Sequence, residues 1–240
     1  MASCLFLINS IKNFNFITSK ILTRGKSMVI RSIKDRDIFK IMDEDDLSIH
    51  YGCNQEWYLT PWQRNAGCGP TVVTNIMIYL NYMRKGLSKG KQLLTKSEAL
   101  SMMEEVWLYV TPTERGIPTT KLLYDDVINY AKAKTLNIKL ELIDIHENRL
   151  LCPEFHNLLL FLGNALSNDS PIAFLNLDNG DEKQLDSWHW VTIISLKYVD
   201  DESRAFIDIV DEGIIKKIDL VKWFNTTRLG GGFVSIDFLI

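Results

Sequence analysis

Residues 63–80 read QRNAGCGPTVVTNIMIYL, with one cysteine, Cys68, between two glycines and directly before an apolar run. Four apolar residues of that run recur at positions i, i+3, i+4 and i+7, the spacing of one stripe on a helix. They are Val73, Ile76, Met77 and Leu80. Pro70 suits a first helical position, because its fixed backbone angle is helical and its missing N–H has no partner there anyway. The stretch predicts a helix over residues 69–83, and further apolar residues on its other sides indicate a central position in the fold.

A cysteine at the start of a helix is a candidate nucleophile. The unpaired N–H groups and the positive dipole end of a helix stabilise an anion, so they favour the thiolate over the thiol. Gly67 and Gly69 have no side chain that would block an approaching carbonyl, and they permit the backbone angles of a sharp turn. The backbone N–H of Cys68 is also a possible donor to a developing oxyanion. The alternative is a small buried residue in a tight turn, so a base and an orienting group must be identified.

His189 is the candidate base. It lies in DSWHWVTIISL, at the beginning of a predicted strand, where an imidazole could face a thiol on a separate helix. The group that orients it should come from the next strand, and Asp208 and Asp211 compete for that role. They are three residues apart and so point to opposite faces of an extended strand. Asp211 is preferred because it ends the strand before Gly213, and Asp208 stays open.

The loop before Cys68 offers a second oxyanion donor. Gln63 lies five residues upstream, and its side-chain amide is the first candidate. Asn65 lies between the two and could substitute for it. Each of these four candidates also has a purely structural interpretation, as a buried cysteine, a half-buried strand histidine, a turn acid or a surface loop amide.

Composition limits the other classes of function. The chain has 240 residues, 46% hydrophobic and 24% charged, with a formal net charge of −3, which suits one medium domain and does not indicate a nucleic-acid partner. Four scattered cysteines without a CxxC pair, and four histidines without an HExxH spacing, argue against a metal site, and we predict no cofactor. No apolar run reaches the roughly 18 residues of a membrane span. We expect a cytoplasmic, reduced protein, with residues 1–30 as a poorly packed N-terminal extension and residues 31–240 as one domain.

The remaining elements follow from periodicity and capping signals. The predicted helices span residues 69–83, 95–110, 119–134, 153–166 and 219–225, the second of them opening with the capping-box pattern TKSE. The predicted strands span residues 137–145, 172–177, 188–198, 205–210 and 233–239. Helices dominate the first half and strands the second, which is typical of an α+β chain with an antiparallel sheet.

Taken together, these motifs resemble the papain-like cysteine peptidase superfamily, and within it the bacteriocin-processing (double-glycine) peptidases and their stand-alone relatives. The resemblance covers roughly residues 55–225 and rests on Gln63, on the Cys-Gly-Pro-Thr stretch at Cys68, on the His-Trp-Val stretch at His189 and on Asp211. The order of these residues matches the family. Two spacings differ, since the gap from glutamine to cysteine is shorter than in many relatives and the gap from histidine to aspartate is longer.

The resemblance implies a papain-like fold, with an N-terminal helical half whose central nucleophile helix packs on a C-terminal antiparallel β-sheet. It implies a thiol hydrolase of peptide or isopeptide bonds acting on a peptide or protein substrate. Cys68 would be the nucleophile, His189 the base and later the acid, Asp211 the orienting group and Gln63 the oxyanion donor. A peptide-binding module without turnover and an acyl or amide transferase on the same scaffold are the alternatives.

Overall fold

The structure, a computed structural model, describes residues 27–84 and 93–239. Most of the predicted N-terminal extension, residues 1–26, lies outside the described residues. Residues 28–30, the last of that predicted extension, are described. They belong to strand β1 (Met28–Ser32), which pairs with a later strand of the main sheet. The sheet therefore takes in a segment that the sequence assigned to the extension.

The described residues contain six α-helices. They are α1 (Pro61–Ala66), α2 (Cys68–Arg84), α3 (Lys96–Trp107), α4 (Thr120–Ala133), α5 (Phe155–Ser167) and α6 (Leu220–Thr226). Five of these lie where helices were predicted, with ends shifted by a few residues. The capping box predicted at the start of α3 is present, with Thr95 as the N-cap residue and Glu98 as its partner. Helix α1 was not predicted, because six residues are too few for a helical period to show.

Ten strands lie in the described residues. They are β1 (Met28–Ser32), β2 (Lys40–Met42), β3 (Ile49–Tyr51), β4 (Leu94–Thr95), β5 (Ile138–Ile145), β6 (Ile172–Asn176), β7 (His189–Val199), β8 (Ala205–Asp211), β9 (Ile214–Asp219) and β10 (Gly231–Phe238). The five predicted strands are all present. The other five strands were not predicted. They have two to six residues each, and in so few residues the alternation of apolar and polar side chains is hard to recognise.

The main sheet is antiparallel throughout. It runs in the order β5-β10-β6-β7-β8-β9, and β1 also pairs with β7. Strand β6 pairs with residues 189–193 and β1 with residues 195–199, so the long strand β7 has both on one edge and β8 on the other. The chain is thus a mixed α and β protein with an antiparallel sheet, as predicted. The first half is not purely helical, since β3, β2 and β4 form a small second sheet there.

Helix α2 lies at the centre of the molecule and packs on β7. Val73, Ile76 and Met77 are completely buried, and full burial of such a side chain contributes roughly 1.5–3 kcal/mol. Asn75 on the same helix accepts a hydrogen bond from the backbone N–H of Cys53 (2.8 Å) and donates one to Thr192 Oγ1 on β7 (3.3 Å). Apolar burial and this polar bridge together fix the start of α2 relative to the start of β7.

Over the described ranges, none of the helices combines the length and the apolar character that crossing a bilayer requires.

Candidate active site

Cys68 is the first residue of α2, and Gly67 alone separates it from α1. Gly67 has an ordinary φ of −83°, so this turn does not need the unusual backbone angles that the sequence suggested. Instead, the glycines allow close packing. A Cβ on Gly67 would lie 2.6 Å from the Tyr58 ring, and one on Gly69 would lie 2.7 Å from Ile117 Cδ1. Any side chain at either position would push the helix start away from its neighbours.

His189 and Asp211 form the second part of the site. The His189 Nε2 atom lies 2.7 Å from Asp211 Oδ1, and the two side chains are 13% and 4% exposed. The residue before the histidine, Trp188, has a left-handed backbone (φ 57°), which is uncommon for a residue other than glycine. Strain of this kind occurs at functional sites, where the surrounding structure holds it in place.

The strand register explains why Asp211 reaches the histidine. Val210 lies opposite Thr192, so the next residue on β8 extends toward the beginning of β7. Asp208 lies opposite Ser195, beyond a register shift, and its carboxylate accepts hydrogen bonds from Ser195 Oγ (2.7 Å) and Arg36 (3.0 Å). The structure thus brings Asp211 to His189 and uses Asp208 elsewhere.

The Cys68 thiol lies beside the His189 ring, near enough to act on the pKa of the imidazole. Because Nε2 is bonded to Asp211, Nδ1 is the ring nitrogen left for the sulfur. Burial lowers the pKa of His189, but the hydrogen bond to Asp211 and the neighbouring Cys68 outweigh burial and raise the pKa to about 10. The imidazole is therefore positively charged at neutral pH, with a carboxylate on one side and the sulfur on the other. This arrangement stabilises a thiolate, the reactive form of cysteine.

Lys216 is a member of the site that the sequence did not indicate. Its Nζ donates to Asp211 Oδ2 (2.7 Å) and to Glu212 Oε2 (3.1 Å). Burial raises the pKa of Asp211, but hydrogen bonds and charge from His189 and Lys216 outweigh this and hold the pKa below its ordinary value. Lys216 lies on β9, and without that strand nothing in the sequence relates it to the other residues.

The oxyanion role expected of Gln63 stays a prediction, and its side chain makes other contacts in this structure. Its carbonyl accepts hydrogen bonds from Thr60 in the capping box of α1, and its amide nitrogen donates to Glu104 Oε2 (2.7 Å). These contacts stabilise the helix start, because they satisfy backbone N–H groups that would otherwise be unpaired. Asn65, the alternative named above, lines the cavity next to Cys68.

A cleft opens beside Cys68, with a cavity of about 190 Å³. Trp62 from α1 and Trp188 from the loop before β7 are 45% and 60% exposed along it. A second cavity, which extends to the end of β5, shares part of the wall, so the two cavities adjoin each other and are together called the groove. The shared residues are Pro118, Leu175, Leu177 and Trp188. The Trp190 indole N–H donates to Ile117 O (2.8 Å) and ties the wall loop to the sheet.

One group of carboxylates among the described residues has a spacing that a metal ion could use. Oxygen atoms of Asp186, Asp211 and Glu212 lie within 4.8 Å of one another. The Lys216 ammonium is bonded to two of the three, so an amino-acid cation already balances much of their charge. The expectation that the protein needs no metal or cofactor stays a prediction.

Comparisons with known proteins find similarity to solved structures. No family model and no curated protein matches the chain. A solved structure described as the crystal structure of UfSP from C. elegans is similar, with a TM-score of 0.49 and 9% sequence identity. The similarity covers 88% of this chain and 34% of that one, so this chain spans about a third of the length of its neighbour.

Proposed function

We propose that this chain is a papain-like thiol hydrolase, a cysteine peptidase that cleaves peptide or related amide bonds through an acyl-enzyme on Cys68. The observation that carries the proposal is the row of Cys68, His189 and Asp211, in which the imidazole lies 2.7 Å from the carboxylate and has the thiol beside it. A thiol, a base and an orienting acid in contact are the three groups that nucleophilic catalysis by cysteine needs. The proposal concerns this thiol chemistry, and the bacteriocin-processing branch is not part of it.

The first half of the reaction starts from the proposed ion pair between the Cys68 thiolate and the His189 imidazolium. The Cys68 thiolate attacks the substrate carbonyl and forms a carbon–sulfur bond. The negative charge that develops on the carbonyl oxygen is met by backbone N–H groups at the start of α2, which have no acceptor within their own helix. Asn65 is the side chain we assign as a second donor. The His189 imidazolium gives its proton to the leaving nitrogen as the carbon–nitrogen bond breaks, and the amine departs.

The second half regenerates the enzyme. His189 is now neutral and accepts a proton from water, which attacks the thioester carbonyl. The carbon–sulfur bond breaks, the acid product leaves, and the thiolate–imidazolium pair is restored. Asp211 stabilises the charged imidazole and sets its tautomer, so that Nδ1 faces the sulfur. No step requires an oxidant, a metal or a cofactor.

The groove suggests an extended polypeptide as the substrate. Its two adjoining cavities lie beside Cys68 and beside residues 144–147 at the end of β5, so a substrate that occupied both would extend past Trp188. Its walls combine apolar side chains with exposed edges of loops, which suits binding of a peptide by backbone hydrogen bonds and apolar contacts. A protein substrate would therefore be cut in a flexible segment or tail.

A peptide library tests the proposal. The wild-type protein and the Cys68→Ala variant are incubated with a diverse library at neutral pH, and new termini are identified by mass spectrometry. We expect cleavage by the wild type and none by the variant, with equal thermal unfolding temperatures. Equal and negligible cleavage by both proteins would contradict the proposal. If an added amine captures the acyl group faster than water does, the products identify a transferase instead.

A further inference from the structure

Three neighbouring strands each contribute one charged residue to a single row beside Cys68. His189 comes from β7, Asp211 from β8 and Lys216 from β9, and each carboxylate oxygen of Asp211 has a different partner at 2.7 Å. We infer that Lys216 is a positioning residue for the thiol chemistry, which holds the Asp211 carboxylate in the orientation that faces His189. This inference rests on the proposed function, because it assigns a role within the same site.

The geometry gives Lys216 a task that His189 cannot perform alone. The terminal torsion of an aspartate has broad, shallow preferences, so a single hydrogen bond leaves the carboxylate free to turn about it. His189 engages Oδ1 from one side and Lys216 engages Oδ2 from the other. The two partners lie on β7 and β9, the strands on either side of Asp211. Together they fix the plane of the Asp211 carboxylate, and through it the orientation of the His189 ring.

The surroundings show that the Lys216 contact is not a surface ion pair. Its side chain is 15% exposed and that of Asp211 is 4% exposed, and burying a lysine is costly unless it is paired. The next residue, Lys217, shows the ordinary alternative, since it lies exposed over the ring of Phe206 at 4.4 Å from the centroid. Glu212 holds the Lys216 ammonium from the turn. The charges along the row alternate from the His189 imidazolium through the Asp211 carboxylate to the Lys216 ammonium.

Two other titratable side chains lie near Asp211 and Lys216. Asp186 contributes a third carboxylate within 4.8 Å of those of Asp211 and Glu212. His50 on β3 lies against the Gly213 turn that follows Glu212. Neither is bonded to His189, so the pair that faces the imidazole from the carboxylate side is Asp211 with Lys216 behind it.

Alkylation of Cys68 by iodoacetamide as a function of pH tests the inference. In a thiolate–imidazolium pair, the rate shows a lower midpoint, where the pair forms, and an upper midpoint, where the imidazole loses its proton. The pH range between the two midpoints is the window of fast alkylation. We expect Lys216→Met to narrow this window by about one pH unit at each end. The lower midpoint should rise, because an imidazolium that is no longer held facing the sulfur stabilises the thiolate less. The upper midpoint should fall, because a carboxylate that has turned away stabilises the imidazolium less.

If Lys216 acted only through its positive charge, the two midpoints would shift differently. Removing a positive charge without moving Asp211 would raise both midpoints, since both the thiolate and the neutral imidazole would lose favourable electrostatics. A parallel upward shift, or unchanged midpoints, would overturn the inference. Lys216→Arg should restore the wild-type window, and Lys217→Met, which loses the same charge one residue away, should leave it unchanged. If Lys216→Met does not fold, Lys216→Gln takes its place.

A double variant tests whether Lys216 acts on the site through Asp211. If Lys216 acts through Asp211, then Lys216→Met should change the midpoints little in an Asp211→Asn background, whereas additive shifts would show an independent action. The experiment also separates the two proposals. A wild-type Cys68 without a lower midpoint in the acidic range would refute the thiol hydrolase itself. A normal wild-type profile that Lys216→Met leaves intact would refute only the role of Lys216.

Discussion

Replacement of Asp211 by asparagine is the perturbation whose effect on the site can be worked out furthest. The change keeps the shape of the side chain and removes its charge. The His189 pKa of about 10 depends on Asp211 and Cys68, which together outweigh the opposing effect of burial. Without the Asp211 charge, burial remains and the main stabilising partner is weakened, so we expect the His189 pKa to fall to its ordinary value of about 6.5 or below.

The size of the effect follows from the two pKa values. With a pKa of about 10, His189 is almost fully protonated at pH 8. With a pKa of about 6.5, roughly 3% of the molecules carry the proton at that pH, so the acid that protonates the leaving amine becomes about thirtyfold scarcer. Turnover of an amide substrate at pH 8 should therefore fall by at least that factor. At pH 6 the loss should be smaller, because most of the imidazole is then protonated in both proteins.

The assay is an NMR titration of histidine-labelled protein from pH 5 to pH 10.5, followed by hydrolysis rates for a substrate found in the library. Asp208→Asn is the matched control, because it removes the same charge from the same strand while the carboxylate contacts Ser195 and Arg36 instead of the histidine. It should leave the His189 midpoint in place. An identical midpoint in wild type and Asp211→Asn would refute the reasoning, as would a larger shift in Asp208→Asn.

Four further outcomes are expected. Gln63→Ala should lower the free energy of unfolding by roughly 1–2 kcal/mol, through loss of the capping box, and leave Cys68 alkylation unchanged, whereas Asn65→Ala should lower turnover without changing chemical denaturation. Gly69→Ala should lower both turnover and thermal stability, because the added Cβ would lie 2.7 Å from an Ile117 side-chain carbon. Because folding raises the pKa of His189 from 6.5 to about 10, its contribution to stability is complete below pH 6.5 and is lost as the pH rises toward 10. Urea denaturation across that range should show the decline in the wild type and not in His189→Gln.

Local sequence signals were enough to predict the parts of the site that depend on one element. The apolar stripe and Pro70 predicted the helix whose first residue is Cys68, and the hydrophobic strand predicted β7 with His189 at its beginning. These features need only the residues of one segment. The α+β class followed from the order of such segments along the chain.

Gln63 shows where a local signal was overlooked. Thr60 and Gln63 have the spacing of a capping box, and in the structure both capping hydrogen bonds are present at the start of α1. The same glutamine was assigned to catalysis because of its distance from the cysteine. A residue in a capping box already makes backbone contacts, so the pattern favours a structural role for Gln63 beside the catalytic one predicted for it.

Contacts between distant strands could not be predicted from one sequence. The choice between Asp208 and Asp211 depends on the register of β7 and β8, which shifts between Ile193 and Ser195. Lys216 depends on β9, an edge strand whose exposed isoleucines do not alternate with polar residues in the usual way. In a sheet, a shift of one residue moves every side chain to the other face, so local patterns leave such contacts open.

The relative reactivity of two cysteines in one sample tests the central claim most directly. Cys68 and Cys152 are both half-buried, so Cys152 serves as an internal reference. Wild-type protein and His189→Ala are treated briefly with iodoacetamide at pH 7, and the modified peptides are quantified by mass spectrometry. If the thiol and the imidazole form an ion pair, Cys68 should react at least about tenfold faster than Cys152 in the wild type, and this advantage should disappear in the variant. Similar rates for the two cysteines in both proteins would contradict the account.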